Sequence, residues 1–309
     1  MTANLAAAFV DPIDQPAQPS ALAARSPLLA ITRAGNRVVA VGARGHIVYS
    51  DDNAGTWRQA AVPVSVDLTG VSFPREKIGW AVGHAGVVLA TRDGGATWTK
   101  QLVGKQDGAA RGAAQPFLDV FFESDTSGFV VGAFNTIFRT EDGGKSWVPW
   151  MERTSNPEEL HFYAVRARDG RVFLAGEQGK VWRLLPGANR FVPIETPYKG
   201  TFFGLILVHP ATVLAFGMRG AVYRSADNGE TWHKITVRTG AGVAAGTALA
   251  DGRIVLVDQG GGLHVSTDGG KSFAARRMER PMACYGLAAG GNGTVIVSGA
   301  AGIARVALP

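Results

Sequence analysis

A unit of about 40 to 50 residues that recurs seven times is the feature that most constrains this chain. In each unit an apolar run, a short turn and a second run follow one another: VAVGARGHIVYS, WAVGHAGVVLAT, FVVGAFNTIFRT, FLAGEQGKVWRL, LAFGMRGAVYRS, VLVDQGGGLHVS and IVSGAAGIARVA. These blocks end at Ser50, Thr91, Thr140, Leu184, Ser225, Ser266 and Ala307, so successive ends are 41, 49, 44, 41, 41 and 41 residues apart. A regular period of this length is typical of repeat architectures.

Each unit also has an earlier apolar run, and four units show a later run that begins with tryptophan. The earlier runs are PLLAIT, LTGVSF, FLDVFF, FYAVRA, FFGLIL, AGTALA and CYGLAA, and the later ones are WRQAAV, WTKQLV, WVPWME and WHKITV. Runs rich in Val, Ile and Phe between Gly, Asp and Asn turns predict strands, and no segment keeps a helical apolar period for more than two turns. Four short strands per unit predict an all-β, seven-bladed β-propeller of four-stranded antiparallel blades, as a single domain over residues 28–309.

The last unit has no obvious fourth strand, because it ends at IARVALP. An open sheet edge normally has to be covered. Residues 1–27 precede the first unit and include the apolar stretch AAAFVDPI. We therefore expect this N-terminal segment to supply the outer strand of the seventh blade and to close the ring.

Similar octets join the third and fourth strands of several units: TRDGGATW (91–98), TEDGGKSW (140–147) and SADNGETW (225–232). The aspartate can accept bonds from backbone N–H groups of its own turn, the glycines permit positive φ, and the tryptophan can pack against a neighbouring blade. Two further octets are SDDNAGTW (50–57), with Ala54 in place of a glycine, and STDGGKSF (266–273), with phenylalanine in place of tryptophan. A turn that braces the blade is needed in every blade, whereas an active site is needed once. We therefore predict structural roles for the pairs Asp52 and Trp57, Asp93 and Trp98, Asp142 and Trp147, Asp227 and Trp232, and Asp268 and Phe273.

The octets resemble the Asp-box of sialidase-like propellers, and two longer segments narrow the resemblance. GVSFPREKIGWAVGHAGVVLATRDGGATW (70–98) and DVFFESDTSGFVVGAFNTIFRTEDGGKSW (119–147) resemble the photosystem II stability/assembly factor family of Asp-box, or BNR-like, seven-bladed propellers. The resemblance implies a non-enzymatic, protein-binding assembly factor for a membrane or envelope complex, here in a non-photosynthetic bacterial member. It also implies a periplasmic or exported protein. The start MTANLAAAFVDP lacks the basic residues and long apolar stretch of a signal peptide, so we expect a leader to have been removed.

Function on a propeller concentrates in the loops of a rigid scaffold. The turns between second and third strands lie at the same end as the links between blades. The side chains expected there on a partner-binding face are Arg44, His84, Asn135, Glu177 and Arg219 in the turns, with Arg111 and Arg238 in the links. The family resemblance implies an arginine patch on one face, and the turns GARG and GMRG occupy matching positions. Guanidinium groups suit carboxylate partners.

Composition excludes several other classes. The net charge is +6 and the pI is near 9.7, but the basic residues are scattered, which argues against nucleic acid. The single cysteine, Cys284, permits no internal disulfide and is expected to be buried. The six histidines lack zinc-ligand spacing, the octets hold too few acids for a calcium loop, and no apolar run is long enough to span a membrane. We predict no metal and no cofactor.

Two alternatives remain. The first is a sialidase-like propeller that binds or hydrolyses glycans, for which two facing carboxylates or a tyrosine nucleophile would be needed. The available acids Glu123, Glu152, Glu177 and Glu195 lie in no recognisable motif. The second is a propeller that stabilises only its own oligomer, which a large apolar patch with two-fold contacts would favour.

Overall fold

The computed structural model describes residues 10–102, 104, 114–208 and 210–308. The strands of the first three blades are β1 (Leu28–Ala34), β2 (Arg37–Gly42), β3 (Ile47–Ser50), β4 (Arg58–Gln59), β5 (Leu68–Ser72), β6 (Gly79–Gly83), β7 (Val88–Thr91), β8 (Thr99–Leu102), β9 (Phe117–Phe122), β10 (Gly128–Gly132), β11 (Ile137–Thr140) and β12 (Val148–Pro149). Those of the next three are β13 (Phe162–Arg168), β14 (Arg171–Gly176), β15 (Lys180–Leu185), β16 (Arg190–Glu195), β17 (Phe202–Val208), β18 (Thr212–Gly217), β19 (Val222–Ser225), β20 (His233–Lys234), β21 (Val243–Ala248), β22 (Ile254–Asp258), β23 (Gly262–Ser266) and β24 (Ala274–Arg277). The last blade contains β25 (Cys284–Ala289), β26 (Thr294–Gly299) and β27 (Gly302–Ala307).

Helical structure in the described residues is limited to short 3-10 turns. They are Pro12–Asp14, Ala23–Arg25, Ala43–Gly45, His84–Gly86, Met151–Arg153 and Met218–Gly220. Among the described residues, therefore, no helix is long and apolar enough to cross a membrane.

The sheets confirm the seven-bladed β-propeller. Six sheets have four antiparallel strands in sequence order, from β1–β4 to β21–β24, and the seventh has three described strands, β25–β27. The first strand of each blade lines a central channel. The second strands are buried at nearly every position, as in the all-buried run of β6, because neighbouring blades cover both faces of each sheet.

The core consists of seven apolar clusters, one between each pair of consecutive blades. Between blades two and three, for example, the rings of Trp80 and Phe122 are stacked with their centroids 3.4 Å apart. Cys284 is fully buried in the cluster between blades six and seven, as predicted. Burial raises the pKa of its thiol to about 12, so this cysteine is a packing residue and not a reactive one.

The ring closes by side-to-side packing of blades seven and one. Leu28 and Val38 of blade one share a cluster with Ile296 of blade seven. Arg33 reinforces the junction, since its Nη1 donates to the carbonyl oxygen of Ala289 at 3.1 Å.

The described part of the N-terminal segment does not form the predicted outer strand. Residues 10–27 form no strand with β27; instead, the backbone N–H of Ala17 donates to the Val62 carbonyl at 3.0 Å. Ile13 is buried in the cluster between blades one and two, and Asp14 pairs with Lys100 of blade two at 2.9 Å. Prolines at positions 12, 16 and 19 explain the absence of a strand, because proline cannot donate to a ladder. The first part of AAAFVDPI, residues 6–9, lies outside the described residues, and its role stays a prediction.

Candidate partner-binding face

The propeller has two ends, and the octets occupy one of them. In the second blade, the Asp93 carboxylate accepts bonds from the backbone N–H groups of Ala96 and Thr97, both at 3.0 Å. It also accepts a bond from the Thr97 hydroxyl at 2.6 Å. The Trp98 indole donates to the Gly95 carbonyl at 3.0 Å, and its ring lies in the cluster between blades one and two. The acid and the ring are thus engaged within their own turn and blade junction.

The carboxylate bonding recurs in the other four octets, whereas the indole bond recurs at Trp232, which donates to the Gly229 carbonyl at 3.0 Å, but not at Trp147, whose Nε1 has no partner among the described residues. Bonds from the hydroxyl and backbone N–H of Ser146 lower the pKa of Asp142 to about 2. Equivalent bonds from hydroxyl and backbone N–H groups lower the pKa values of Asp52 and Asp227. Burial would raise the pKa of Asp268, but bonds from Ser272 outweigh it and lower that pKa to about 2. Across the described ranges no group of three or more His, Cys, Asp or Glu residues could hold a metal ion. This end of the molecule therefore offers braces rather than reactive groups.

The opposite end carries the turns between second and third strands, together with the links between blades. We call it the loop face. In the first of these turns Arg44 and Gly45 have φ of 58° and 71°, and in the fifth Arg219 and Gly220 have φ of 57° and 70°. Two successive left-handed residues define a type I′ turn. A Cβ atom at Gly45 would lie 2.1 Å from the Val64 carbonyl oxygen, so this position of the first turn accepts only glycine. The preceding residue, Arg44, has an exposed side chain.

Arg44 and His84 form one group on the loop face. The backbone N–H of Arg44 donates to Asp67 Oδ1 at 2.8 Å, and that of His84 donates to the Asp67 carbonyl at 3.0 Å. Asp67 lies in the link between blades one and two. The structure therefore brings these two predicted residues together, with both side chains exposed.

Arg219 and Arg238 form a second group, on blade five. A Cβ atom at Gly220 would lie 2.6 Å from the Thr239 carbonyl oxygen, so the turn abuts the link that carries Arg238. Both arginines are exposed, and neither forms an ion pair with another described residue. Beside them Met218 is 40% exposed. Blades one and five lie on nearly opposite sides of the channel, so the Arg44 and Arg219 groups are separate and not one continuous patch.

Two residues predicted for the partner-binding face, Asn135 and Glu177, form hydrogen bonds with the links between blades. Asn135 Oδ1 accepts bonds from Thr154 Oγ1 at 2.8 Å and Asn156 Nδ2 at 3.1 Å. Glu177 accepts a bond from the backbone N–H of His161 at 2.9 Å. Both side chains shape the loops around blades three and four. Arg111, the remaining predicted residue, lies outside the described residues.

An aromatic series runs from the loop face into the channel, and the sequence reasoning did not connect its members. Phe134 is 55% exposed and lies edge-on to the His161 ring, with centroids 4.6 Å apart. The series continues with Tyr163 and Phe203, which line the channel. The centroids of these two rings are 5.8 Å apart. The signal was the pair of aromatic doublets FY (162–163) and FF (202–203), because alternation along a strand sends one ring of each doublet into the core and the other towards the channel.

The charge of the loop face is mixed. Acidic side chains lie among the arginines, including Glu152, which is exposed on the same groove as the exposed Arg153. In the channel, Asp119 accepts a bond from the backbone N–H of Val165 at 3.0 Å and pairs with Arg166. Asp119 is the one acid among the described residues that line the channel pocket. A basic, loop-rich binding face, which the arginine patch of the family implies, therefore stays a prediction.

Comparison with known proteins identifies the family. Residues 49–112 and 112–300 match the family model described as Photosynthesis system II assembly factor YCF48. The chain belongs to this family. No significant sequence match is found among curated proteins.

Solved structures share the fold of this YCF48-family chain. One described as YCF48 bound to D1 peptide is 19% identical, with 92% of this chain and 94% of that chain covered and a TM-score of 0.73. YCF48 from Cyanidioschyzon merolae is 19% identical, with 92% and 96% covered and a TM-score of 0.71. A streptogramin B lyase is 13% identical, with 96% and 97% covered and a TM-score of 0.77. Since a lyase shares the architecture, the fold alone does not define function, which has to be argued from the site.

Proposed function

We propose that this YCF48-family protein is a non-enzymatic assembly or stability factor that binds a protein partner through its loop face. The observation that carries the proposal is the pair of exposed arginines, Arg219 and Arg238, beside the exposed side chain of Met218. Arginine, methionine and aromatic residues are enriched at protein interfaces, and a guanidinium group binds a carboxylate in a bidentate manner. The type I′ turn presents Arg219 without further ordering of the backbone, and the adjoining link carries Arg238.

The partner we propose is a component of a membrane or envelope complex, and the protein would meet it after export to the periplasm. Family membership supports an assembly role. A YCF48 structure described as bound to D1 peptide supports a segment of a protein as the class of ligand. Electrostatic steering by the two arginine groups would favour acidic segments.

Glycoside hydrolysis is the weaker alternative. It usually needs two carboxyl groups that flank the scissile bond, whereas the described lining of the channel contains Asp119 alone, already paired with Arg166. Incubation with fluorogenic sialosides and other glycosides tests this directly. We expect no turnover, and measurable hydrolysis would refute a purely binding role.

The test of the binding face is a double charge reversal, Arg44→Glu with Arg219→Glu. Both residues are exposed, so we expect the fold to persist while capture of the partner from envelope extract falls at least about tenfold. The matched control is Arg92→Glu with Lys145→Glu, which changes the charge equally on two exposed octet positions at the other end. Equal capture by the two double variants would rule out the loop face as the binding surface.

A further inference from the structure

The outer edge of β27 in blade seven is unpaired within the described residues. On its inner side β27 pairs with β26, with Gly302 opposite Gly299 at the turn, and Leu308 donates to the Gly293 carbonyl at 2.8 Å just beyond it. Hydrogen-bonded and non-bonded pairs alternate in an antiparallel ladder. The N–H and C=O groups of Ile303, Arg305 and Ala307 therefore face outwards.

A groove of about 780 Å³ runs along this edge, between blade six and blade one. Its lining is strongly basic, with a single acid, Glu279, against four arginines: Arg276, Arg277, Arg280 and Arg305. None of the four arginines forms an ion pair with another residue in the described part of the chain. β24 forms the blade-six side of the groove, and all four of its residues are exposed. This exposure agrees with a blade seven that has three described strands, because a fourth strand would lie beside β24.

The described N-terminal segment leads away from this edge. Ala24 lies against the start of β27, since a Cβ atom at Gly302 would be 2.2 Å from the Ala24 carbonyl oxygen. Going towards the N-terminus, the chain then passes over blade one to the contact of Asp14 with Lys100 on blade two. The first nine residues, MTANLAAAF, contain no acid. The protein's own N-terminus therefore lacks the charge that would complement the groove.

We infer that β27 is a docking edge for an extended, acidic segment of a partner protein, which adds a fourth strand to blade seven. The main chain of the partner pairs with the outward groups of β27, and alternate acidic side chains meet the arginines of the groove. Strand addition of this kind takes affinity from main-chain bonds and specificity from alternate side chains. This surface lies on the side of the propeller and is distinct from the loop face.

The first test is amide hydrogen exchange of the full-length protein with a synthetic probe, acetyl-TEVEVEVET-amide. Without the probe, the outward amides of Ile303, Arg305 and Ala307 should exchange fast while their inward neighbours are protected. With the probe, we expect exchange of the outward amides to slow at least about tenfold, because they become part of a ladder. Outward amides that are already protected, and that lose protection when residues 1–9 are deleted, would overturn the proposal, because the protein's own N-terminus would then occupy the edge.

The second test is binding of the labelled probe to variants. Ala307→Pro removes an outward N–H without breaking a bond to β26, and an edge strand tolerates proline, so the fold should remain and binding should be lost. Arg276→Glu with Arg277→Glu should weaken binding about tenfold or more, whereas Arg92→Glu with Lys145→Glu and the loop-face double variant should bind normally. Unchanged binding by Ala307→Pro, or equal binding of a probe with lysine in place of glutamate, would refute the inference.

Discussion

At the scale of single residues, left-handed backbone positions decide which side chains the turns accept. Ala54 has φ of 69° at the place where other octets have glycine, such as Gly95 at 90°. Its N–H still donates to Ser50 Oγ at 2.9 Å, so the turn keeps its bonds at the cost of backbone strain. A side chain in this conformation costs about 1 kcal/mol. We expect Ala54→Gly to raise the free energy of unfolding by about this amount in urea titrations.

The control for this substitution is Ala96→Gly in the second octet. Ala96 has no positive φ, so extra freedom in the unfolded chain should lower stability by up to about 1 kcal/mol. A gain of stability in both variants, or in neither, would mean that strain at position 54 is not the cause.

At the scale of elements, the N-terminal segment is a belt on blade one rather than a strand of blade seven. Ile13 is 3% exposed, between the outer parts of blades one and two. Ile13→Ala should therefore lower the free energy of unfolding by about 2 to 4 kcal/mol, and deletion of residues 1–20 should lower Tm by several degrees. Deletion of residues 1–9 alone leaves the described belt intact. If that deletion lowered the free energy of unfolding as much as Ile13→Ala does, the result would instead favour AAAFVDPI as the outer strand of blade seven.

Local patterns predicted most strands and turns, whereas contacts between distant parts of the chain were not predictable. Apolar runs and glycine turns repeat in every unit, so each blade could be recognised from its own residues. The path of the N-terminal segment depends on Ile13 reaching the cluster of Val62 and Trp98, which no local pattern encodes. For the same reason the sequence predicted equivalent turns for Arg44 and Arg219 but not the bond from the Arg44 N–H to Asp67 in the link to blade two.

At the scale of the whole molecule, the five octets make stability sensitive to acid. Bonds from hydroxyl and N–H groups lower the pKa of each octet aspartate, as Ser146 does for Asp142 at about 2. A carboxyl group with a lowered folded-state pKa stabilises the fold above its usual pKa, and this contribution is lost as pH falls through the lowered value. Because the brace is repeated in five blades, we expect Tm to be nearly constant from about pH 7 to 5 and to fall steeply between about pH 4 and 2.

A single substitution tests this origin of acid sensitivity. Asp142→Asn removes one titrating brace, so it should lower Tm at pH 6 while reducing the further drop between pH 6 and pH 3. The matched control is Glu123→Gln, an exposed acid of the same blade whose side chain makes no bond to another described residue. Parallel pH profiles for Asp142→Asn and the unsubstituted protein would show that the octet carboxylates do not govern acid unfolding. A flattened profile would identify the repeated turn as an origin of acid unfolding, since each brace ties the third strand of its blade to the fourth.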